Sequence, residues 1–469
     1  MRRGGGHARD PPRPPPAPRR RPTAGGSGGA GLAAAHALRP RADVTLFESA
    51  EWFGGHAHTV DVTLRDRDGA EQTFGVDTGF LVLNERTYPQ LLALFSELGV
   101  AIAPSDMSFS VQAPGAGLGG GTLEWSGSNL GTLFAQPSNL VRRCFWGMLL
   151  EIFGLNRLCT RLAAERLDDA ACQDMEEPLE QFLKRNGFSA AFRDWYLLPM
   201  LGCIWSCPTD QMLRFPVVTM VRFCHNHGLI QIENRPQWYT VPGGSRNYVE
   251  RLIARLSDVR LRTPVRRILR TPGSVTLVTD QGAERFDAVV LACHTDQALR
   301  LLGAGATESE RSVLGAIRYQ PNRAVLHTDA SVMPKSGKAW AAWNYVRASD
   351  REQDASRVSL HYWINRLQPL PVEQPVIVSL NPLESIDPSL VLGEWTYDHP
   401  VFDLGAIRAQ AQIEAIQGTE QTWYAGAWCG YGFHEDGLKS GQQVAGQMAN
   451  HPGLARHFRG SAKAVAGEA

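Results

Sequence analysis

The stretch Gly25-Gly-Ser-Gly-Gly-Ala-Gly-Leu-Ala-Ala-Ala-His-Ala-Leu38, with Val44-Thr-Leu-Phe-Glu48 behind it, decides the fold. Gly26, Gly28 and Gly31 fit G-x-G-x-x-G, and Gly29 adds a further residue without a side chain. The first glycine permits a tight turn, the second lets backbone N–H groups approach a diphosphate, and the third lets a helix pack closely on a sheet. The Ala-rich run then predicts that helix, stopped by Pro40, with its N-terminal N–H groups facing the phosphates. Val44–Glu48 reads as the next buried strand, and Glu48 stands where a carboxylate would accept ribose hydroxyls. A Gly-rich linker of chance spacing is the competing reading; the helix, strand and acid that follow weigh against it.

Working backwards from Gly26, the strand that should lead into the loop is missing. Arg-Pro-Thr-Ala-Gly stands there, and a proline and a charged side chain suit a covered central strand poorly. The expectation is an N-terminus altered by a wrong start or frame shift, or else weakened cofactor binding. Residues 1–22 are rich in Pro, Arg and Gly and are expected to be disordered. They hold seven Arg against one Asp, so the rest of the chain carries six more acidic than basic residues. That balance gives no basic groove for nucleic acid.

The chain of 469 residues is long enough for two associated domains. No apolar run reaches the roughly 18–20 residues of a membrane span, and no apolar stretch follows the N-terminal arginines as in a secretory signal. Eight scattered cysteines suggest reduced thiols and a cytoplasmic setting, with peripheral contact to the inner membrane as an option. FDAVVLACHTD (286–296) reads as a central parallel strand, and VEQPVIVSLNP (372–382) and AVLHTD (324–329) as further strands. EEPLEQFLKRNG (176–187) and SRNYVERLIARL (245–256) read as helices. FWGMLLEIFGLNRL (145–158) reads as a helix that either is buried or rests on a membrane surface.

From Glu48-Ser-Ala-Glu-Trp-Phe-Gly-Gly-His-Ala-His-Thr59 onward, the sequence resembles the flavin amine oxidases and phytoene-desaturase-like enzymes. Its motifs are most similar to bacterial relatives of the N-terminal oxidase domain of plant cyclopropane fatty-acid synthases. They include DTGFLVLNERTYP (77–89), LLPMLGCIWSCP (197–208), RPQWYTVPGGSRNYV (235–249) and GYGFHEDGLKSG (430–441). The resemblance implies an α/β fold with a Rossmann-like domain for non-covalent FAD, made from residues 23–110, 236–300 and 420–450. Residues 111–235 and 301–419 would form an interleaved substrate domain, and 451–469 a flexible tail. It also places Gly54, Gly55 and His56 along the diphosphate and flavin, and the Val265 backbone at the adenine. Gly426, Gly432 and Gly437 would close over the flavin. Two positions depart from the amine oxidases, which usually carry Arg where Trp52 and His56 stand here, so the amine substrate does not transfer with the motif.

The implied activity is FAD-dependent dehydrogenation of an apolar substrate, such as a methylated or cyclopropane-related lipid acyl chain. A lipid methyltransferase or cyclopropane synthase would be its pathway partner. Amine oxidation is the rival activity, and a lipid- or partner-binding protein with a decayed flavin site is the rival of another class. Asn84 and Tyr88 are candidate catalytic residues because the motif brings them toward the flavin. Cys203, Cys207, Cys224, His225 and His227 lack a zinc spacing, and no metal is expected. Trp340, Trp343, Tyr345, Tyr362 and Trp363 fit a substrate channel or plain core equally well.

Overall fold

The computed structural model describes residues 22–166, 177–231, 235–350 and 357–454. Most of both expected tails therefore lies outside the described residues. Within them, Pro22 enters a strand and Leu454 is buried against the neighbouring helices.

A parallel five-stranded sheet carries the glycine loop. Its order is Asp258–Arg260, Thr45–Phe47, Pro22–Gly25, Ala288–Leu291 and Thr422–Tyr424. The first strand, expected to be absent, is thus present at the centre of this sheet. It is only four residues long, and its proline takes the first position, where a missing N–H breaks least of the ladder. Small residues suffice because the neighbours supply the apolar volume: Val289, Val290 and Leu291 lie on one side and Leu46 and Phe47 on the other, all buried. Thr23 adds a hydrogen bond from its hydroxyl to the Thr45 carbonyl at 3.0 Å.

Helix Gly29–Leu38 covers one face of this sheet and packs along helix His434–Asn450. Their crossing is close enough that a Cβ on Gly441 would lie 2.2 Å from the Ala30 carbonyl oxygen. The other face buries Phe47, Val289 and Tyr424 against helices Thr295–Leu302, Glu308–Gly315 and Leu404–Gln410. The chain between 301 and 419 therefore contributes to both halves of the molecule.

A mixed seven-stranded sheet forms the second body. Its order is Val391–Val401, Arg318–His327, Ile377–Leu380, Ser359–Trp363, Trp343–Val346, Phe109–Ala113 and Leu123–Ser126. All pairings are antiparallel except Trp343–Val346 with Phe109–Ala113. Helices Arg143–Arg166, Leu198–Trp205 and Val217–Asn226 contribute apolar side chains to the same core. None of the described helices is long and apolar enough to cross a membrane.

Asp77 ties the bodies together. Its carboxylate accepts from the Ser245 N–H (2.9 Å), the Ser245 hydroxyl (2.7 Å), the Thr59 hydroxyl (2.5 Å) and the Gln368 amide (3.3 Å). Burial outweighs these donors and pushes its carboxyl up to about 6.

Candidate functional site

The carboxyl ends of the parallel strands open onto one cavity of about 2020 Å³ that continues into the second body. A single small ligand fills roughly 300–1,000 Å³, so this space suits a dinucleotide and a second molecule. Gly26, Gly28, Gly29, Glu48, Gly54, Gly55, His56, Val265, Gly426, Gly432 and Gly437 all line it. Eleven of the twelve expected cofactor residues are thereby brought together from four separated stretches of chain, 26–29, 48–56, 265 and 426–437.

The glycine positions divide by what a side chain would meet. At Gly26, φ is 100°, and a Cβ would lie 2.7 Å from the Ala292 carbonyl oxygen. Gly28 has nothing within 4 Å of an added Cβ, which is the open ground a diphosphate needs beside bare backbone. Gly31, the twelfth residue, does not line the cavity. It packs under the loop, where a Cβ would lie 1.9 Å from the Gly26 carbonyl oxygen.

Glu48 is held facing this loop. One carboxylate oxygen accepts from the Ser27 N–H (2.8 Å) and hydroxyl (2.6 Å), the other from the Ala50 N–H (2.8 Å). Ser27 in turn receives the Gly54 N–H on its hydroxyl at 3.1 Å, so the acid, the loop and the Gly54-Gly55 turn form one braced unit. The N-terminus of helix His434–Asn450 points at the same space, with Asp436 accepting from the Tyr431 and Phe433 N–H groups at 3.0 Å each. Glu435 fixes that helix to its neighbour by accepting from the Gln90 (3.0 Å) and Leu91 (2.9 Å) N–H groups.

Four histidines surround the junction between loop and second body: His56, His294, His399 and His434. The His56 ring lies 5.3 Å from His399 and 6.5 Å from His294, and His434 stacks on Phe80 at 4.0 Å. Burial holds all four below the ordinary imidazole range, to about 4 for His399 and His434, and mutual repulsion adds to the effect at His56 and His399. Each is a neutral ring with one donor and one acceptor. Nε2 of His56 and of His434 is buried without a partner among the described residues, as expected of groups that await a polar ligand. The unpartnered nitrogens, the open ground at Gly28 and the braced acid fit an FAD-sized dinucleotide.

Of the two candidate catalytic residues, Tyr88 lines the cavity and Asn84 does not. Asn84 is fully buried and off the cavity; its side-chain oxygen accepts from the Arg86 (3.0 Å) and Thr87 (2.9 Å) N–H groups and so shapes a turn. Its Nδ2 is buried without a partner among the described residues. Tyr88 does line the cavity, but burial and the nearby Asp436 and Glu435 push its phenol far up, which suits a neutral hydroxyl. His58 stacks on Trp52 at 3.9 Å and meets the Tyr397 hydroxyl at 2.8 Å, away from the cavity. Cys203, Cys207 and Cys224 are buried thiols whose ionisation burial suppresses.

Trp340, Trp343 and Tyr362 line the cavity, whereas Tyr345 is core and Trp363 packs edge-on against Trp340 at 5.2 Å. Of the site residues that sequence reasoning missed, His294 had a usable signal. It follows the central strand Ala288–Leu291 at its carboxyl end, where open α/β sheets bind ligands. His399 carried none, since its position depends on a strand of the other sheet.

The family described as flavin containing amine oxidoreductase matches residues 30–336, more than half of the chain. Among curated proteins, the chain is 26% identical over 272 residues to the protein described as flavin-containing monoamine oxidase AofH of Mycobacterium tuberculosis, in two strains. That match covers 56% of this chain and 54% of the relative, so the chain spans about half the length of the curated relatives it matches. Among solved structures, a CLA-producing fatty acid isomerase from P. acnes shares the fold at TM-score 0.63 and 17% identity, over 91% of this chain and 98% of that one. Putrescine oxidase bound to putrescine gives TM-score 0.63 at 16% identity, covering 91% and 98%. Cyclohexylamine oxidase from Brevibacterium oxydans gives TM-score 0.63 at 16% identity, covering 92% and 98%.

Proposed function

The chain belongs to the flavin containing amine oxidoreductase family, whose members act with FAD, and we propose that it takes a hydride from an apolar acyl chain. FAD, when bound, supplies the two-electron acceptor. Gly26, Gly28 and Gly29 offer backbone to the diphosphate, Glu48 faces the ribose, and Val265 stands at the adenine end. The Gly54-Gly55-His56 turn and the loop from Gly426 to Gly437 enclose the flavin end. The positive end of helix His434–Asn450 favours the negative charge that gathers on a reduced ring.

One observation carries the acyl reading. Beyond the histidines the cavity is walled by Leu149, Ile152, Met200, Ile204 and Leu229, and of the three lining carboxylates Asp106 already faces Arg366 at 3.4 Å. Glu48 is at the glycine loop, Asp398 beside His294, and Asp106 on the Ser108 N–H at 2.6 Å. A substrate without charge suits such walls; a cationic amine would enter them without a counter-charge. Methylated or cyclopropane-related chains are the specific candidates, in keeping with the kinship to the cyclopropane-synthase oxidase domain proposed on the motifs. Apolar walls favour the chain over water, and the neutral His56 and His434 hold protons without adding charge.

Amine oxidation is the second reading, favoured by Tyr431, Phe433, Trp343 and Tyr362, aromatic side chains in the same cavity. Purified protein is to be examined for flavin absorbance and then mixed anaerobically with methylated phospholipid or with polyamines and aryl amines. Bleaching by phospholipid supports the acyl reading, and bleaching by amines alone removes it. A colourless protein indifferent to added FAD removes both and favours a binding protein with a decayed site.

A further inference from the structure

Helix Arg143–Arg166 is apolar on two faces. Phe145, Met148, Leu155 and Cys159 form a stripe that is buried in the core. A second stripe, Trp146, Leu150 and Phe153, is 45%, 70% and 52% exposed. A surface helix normally carries one apolar stripe, because one face suffices to hold it. The second needs a partner beyond the described residues.

Neighbouring segments extend this stripe into a patch. The Trp146 indole donates to the Leu140 carbonyl at 2.8 Å, and the Phe134 ring lies 5.4 Å from that of Trp146. Leu130, Leu140 and Val141 are 75%, 51% and 77% exposed. Single exposed leucines are ordinary on a protein surface; a contiguous group of six is not. Leu130, Trp146, Leu150 and Phe153 also line the cavity, so the patch is its rim.

Charge distinguishes the candidate occupants. Arg143, Trp146, Leu150, Phe153, Arg157 and Arg161 recur at three- and four-residue spacing and so share one face, with the exposed arginines at its two ends. Glu151 lies outside that spacing and is engaged by the Ser189 N–H (3.1 Å) and hydroxyl (2.8 Å). An apolar strip with an interfacial tryptophan and terminal cations is the pattern that beds into the headgroup layer of an anionic bilayer.

We propose that this face docks on an anionic lipid bilayer, with the cavity mouth pressed into the acyl layer. An acyl chain then passes from bilayer to cavity without crossing water. The entry route rests on the acyl-substrate reading above, whereas the docking stands on the surface alone.

The test is sedimentation of the full-length protein with vesicles of phosphatidylcholine, alone or mixed with phosphatidylglycerol. Binding to the mixed vesicles should be about tenfold tighter or more and should weaken with added salt. Trp146→Ser/Leu150→Ser/Phe153→Ser should abolish it while the thermal midpoint and flavin content hold. Should that variant misfold, Arg157→Glu/Arg161→Glu, confined to exposed polar positions, should still remove the preference for anionic vesicles. Absence of binding, or equal binding to both vesicles, overturns the proposal. So does a dimer in light scattering that the triple serine variant splits, since the patch would then be a contact between copies. Vesicle binding without bleaching by acyl lipids would sink the substrate reading alone; bleaching in detergent without vesicle binding would sink the docking alone.

Discussion

Gly31 lies directly beneath the carbonyl of Gly26, and a Cβ at position 31 would stand 1.9 Å from that oxygen. Neither atom belongs to a flexible side chain, so Gly31→Ala must displace the helix from the loop. The expected result is a loss of about 2–4 kcal/mol of stability together with bound flavin. Gly28→Ala provides the contrast, because its Cβ meets nothing within 4 Å. That variant should melt within a few degrees of the parent yet bind FAD much more weakly, since the methyl fills ground meant for phosphate. Thermal melts read beside flavin absorbance separate the two; equal effects at both positions would contradict the geometry.

Glu48 and Ser27 are coupled through two hydrogen bonds to one oxygen, at 2.8 and 2.6 Å. Glu48→Gln removes the charge that strengthens them and turns an amide N–H₂ toward a donor on one side. Bonds to a charged acceptor contribute roughly 1.5–3 kcal/mol, so FAD should bind about tenfold or more weakly. Titration of the apoprotein with FAD, followed by fluorescence quenching, measures this. An unchanged affinity would mean that the acid neither braces the loop nor meets the cofactor.

How much of this was legible in the sequence follows from where each feature is encoded. The glycine loop was readable because steric exclusion at Gly26 and Gly31 acts on adjacent residues and leaves its mark locally. The first strand was misread because its apolar volume resides in its neighbours, Leu46 and Val290, while Pro-Thr-Ala-Gly contributes little beyond backbone. Of the histidine group only His56 was singled out; that His294, His399 and His434 gather around it was invisible, as the four come from separate segments. For the helix starting at Arg143, burial or rest on a membrane surface were set as alternatives, and the structure buries one apolar stripe and exposes another.

Glu310 sits fully buried beside Arg270, with guanidinium nitrogens at 2.6 and 2.9 Å and the Tyr424 hydroxyl donating at 2.5 Å. This group joins a strand of the antiparallel three-stranded sheet, helix Glu308–Gly315 and the edge strand of the nucleotide sheet. Glu310→Ala removes both bonds from the buried side of Arg270 and leaves it Glu420, at 2.9 Å, as its remaining carboxylate, so the cost should lie near the low end of the range for breaking a buried pair, about 3 kcal/mol. Tyr424→Phe removes one donor only and should cost about 1–2 kcal/mol. Urea unfolding should rank them in that order. A milder effect for Glu310→Ala would show that Glu420 and water together satisfy the arginine.

Acid should destabilise this fold, and buried histidines are the reason. In the seven-stranded sheet the Asp329 N–H donates to His327 Nδ1, which leaves the His327 proton on Nε2, facing the Ser379 hydroxyl at 2.6 Å. That hydroxyl then donates to His361 Nδ1 at 2.6 Å. Burial holds His327 to about 4 and, with repulsion from His327, His361 to about 3. The unfolded chain takes up these protons near pH 6.5 while the folded one refuses them, so the stability present above 6.5 is lost as pH falls toward 4. His58, His227, His399 and His434, each lowered to about 4, act in the same direction. Asp77 and Asp436, raised to about 6, act oppositely and return stability between pH 6 and 4. With His56 and His294, which burial also lowers, eight groups oppose two, and the histidines prevail. Urea midpoints should therefore drop between pH 7 and pH 5, and His361→Gln should shrink that drop by about 2 kcal/mol. A midpoint that rises on acidification would mean the two carboxylates dominate and the histidines titrate freely.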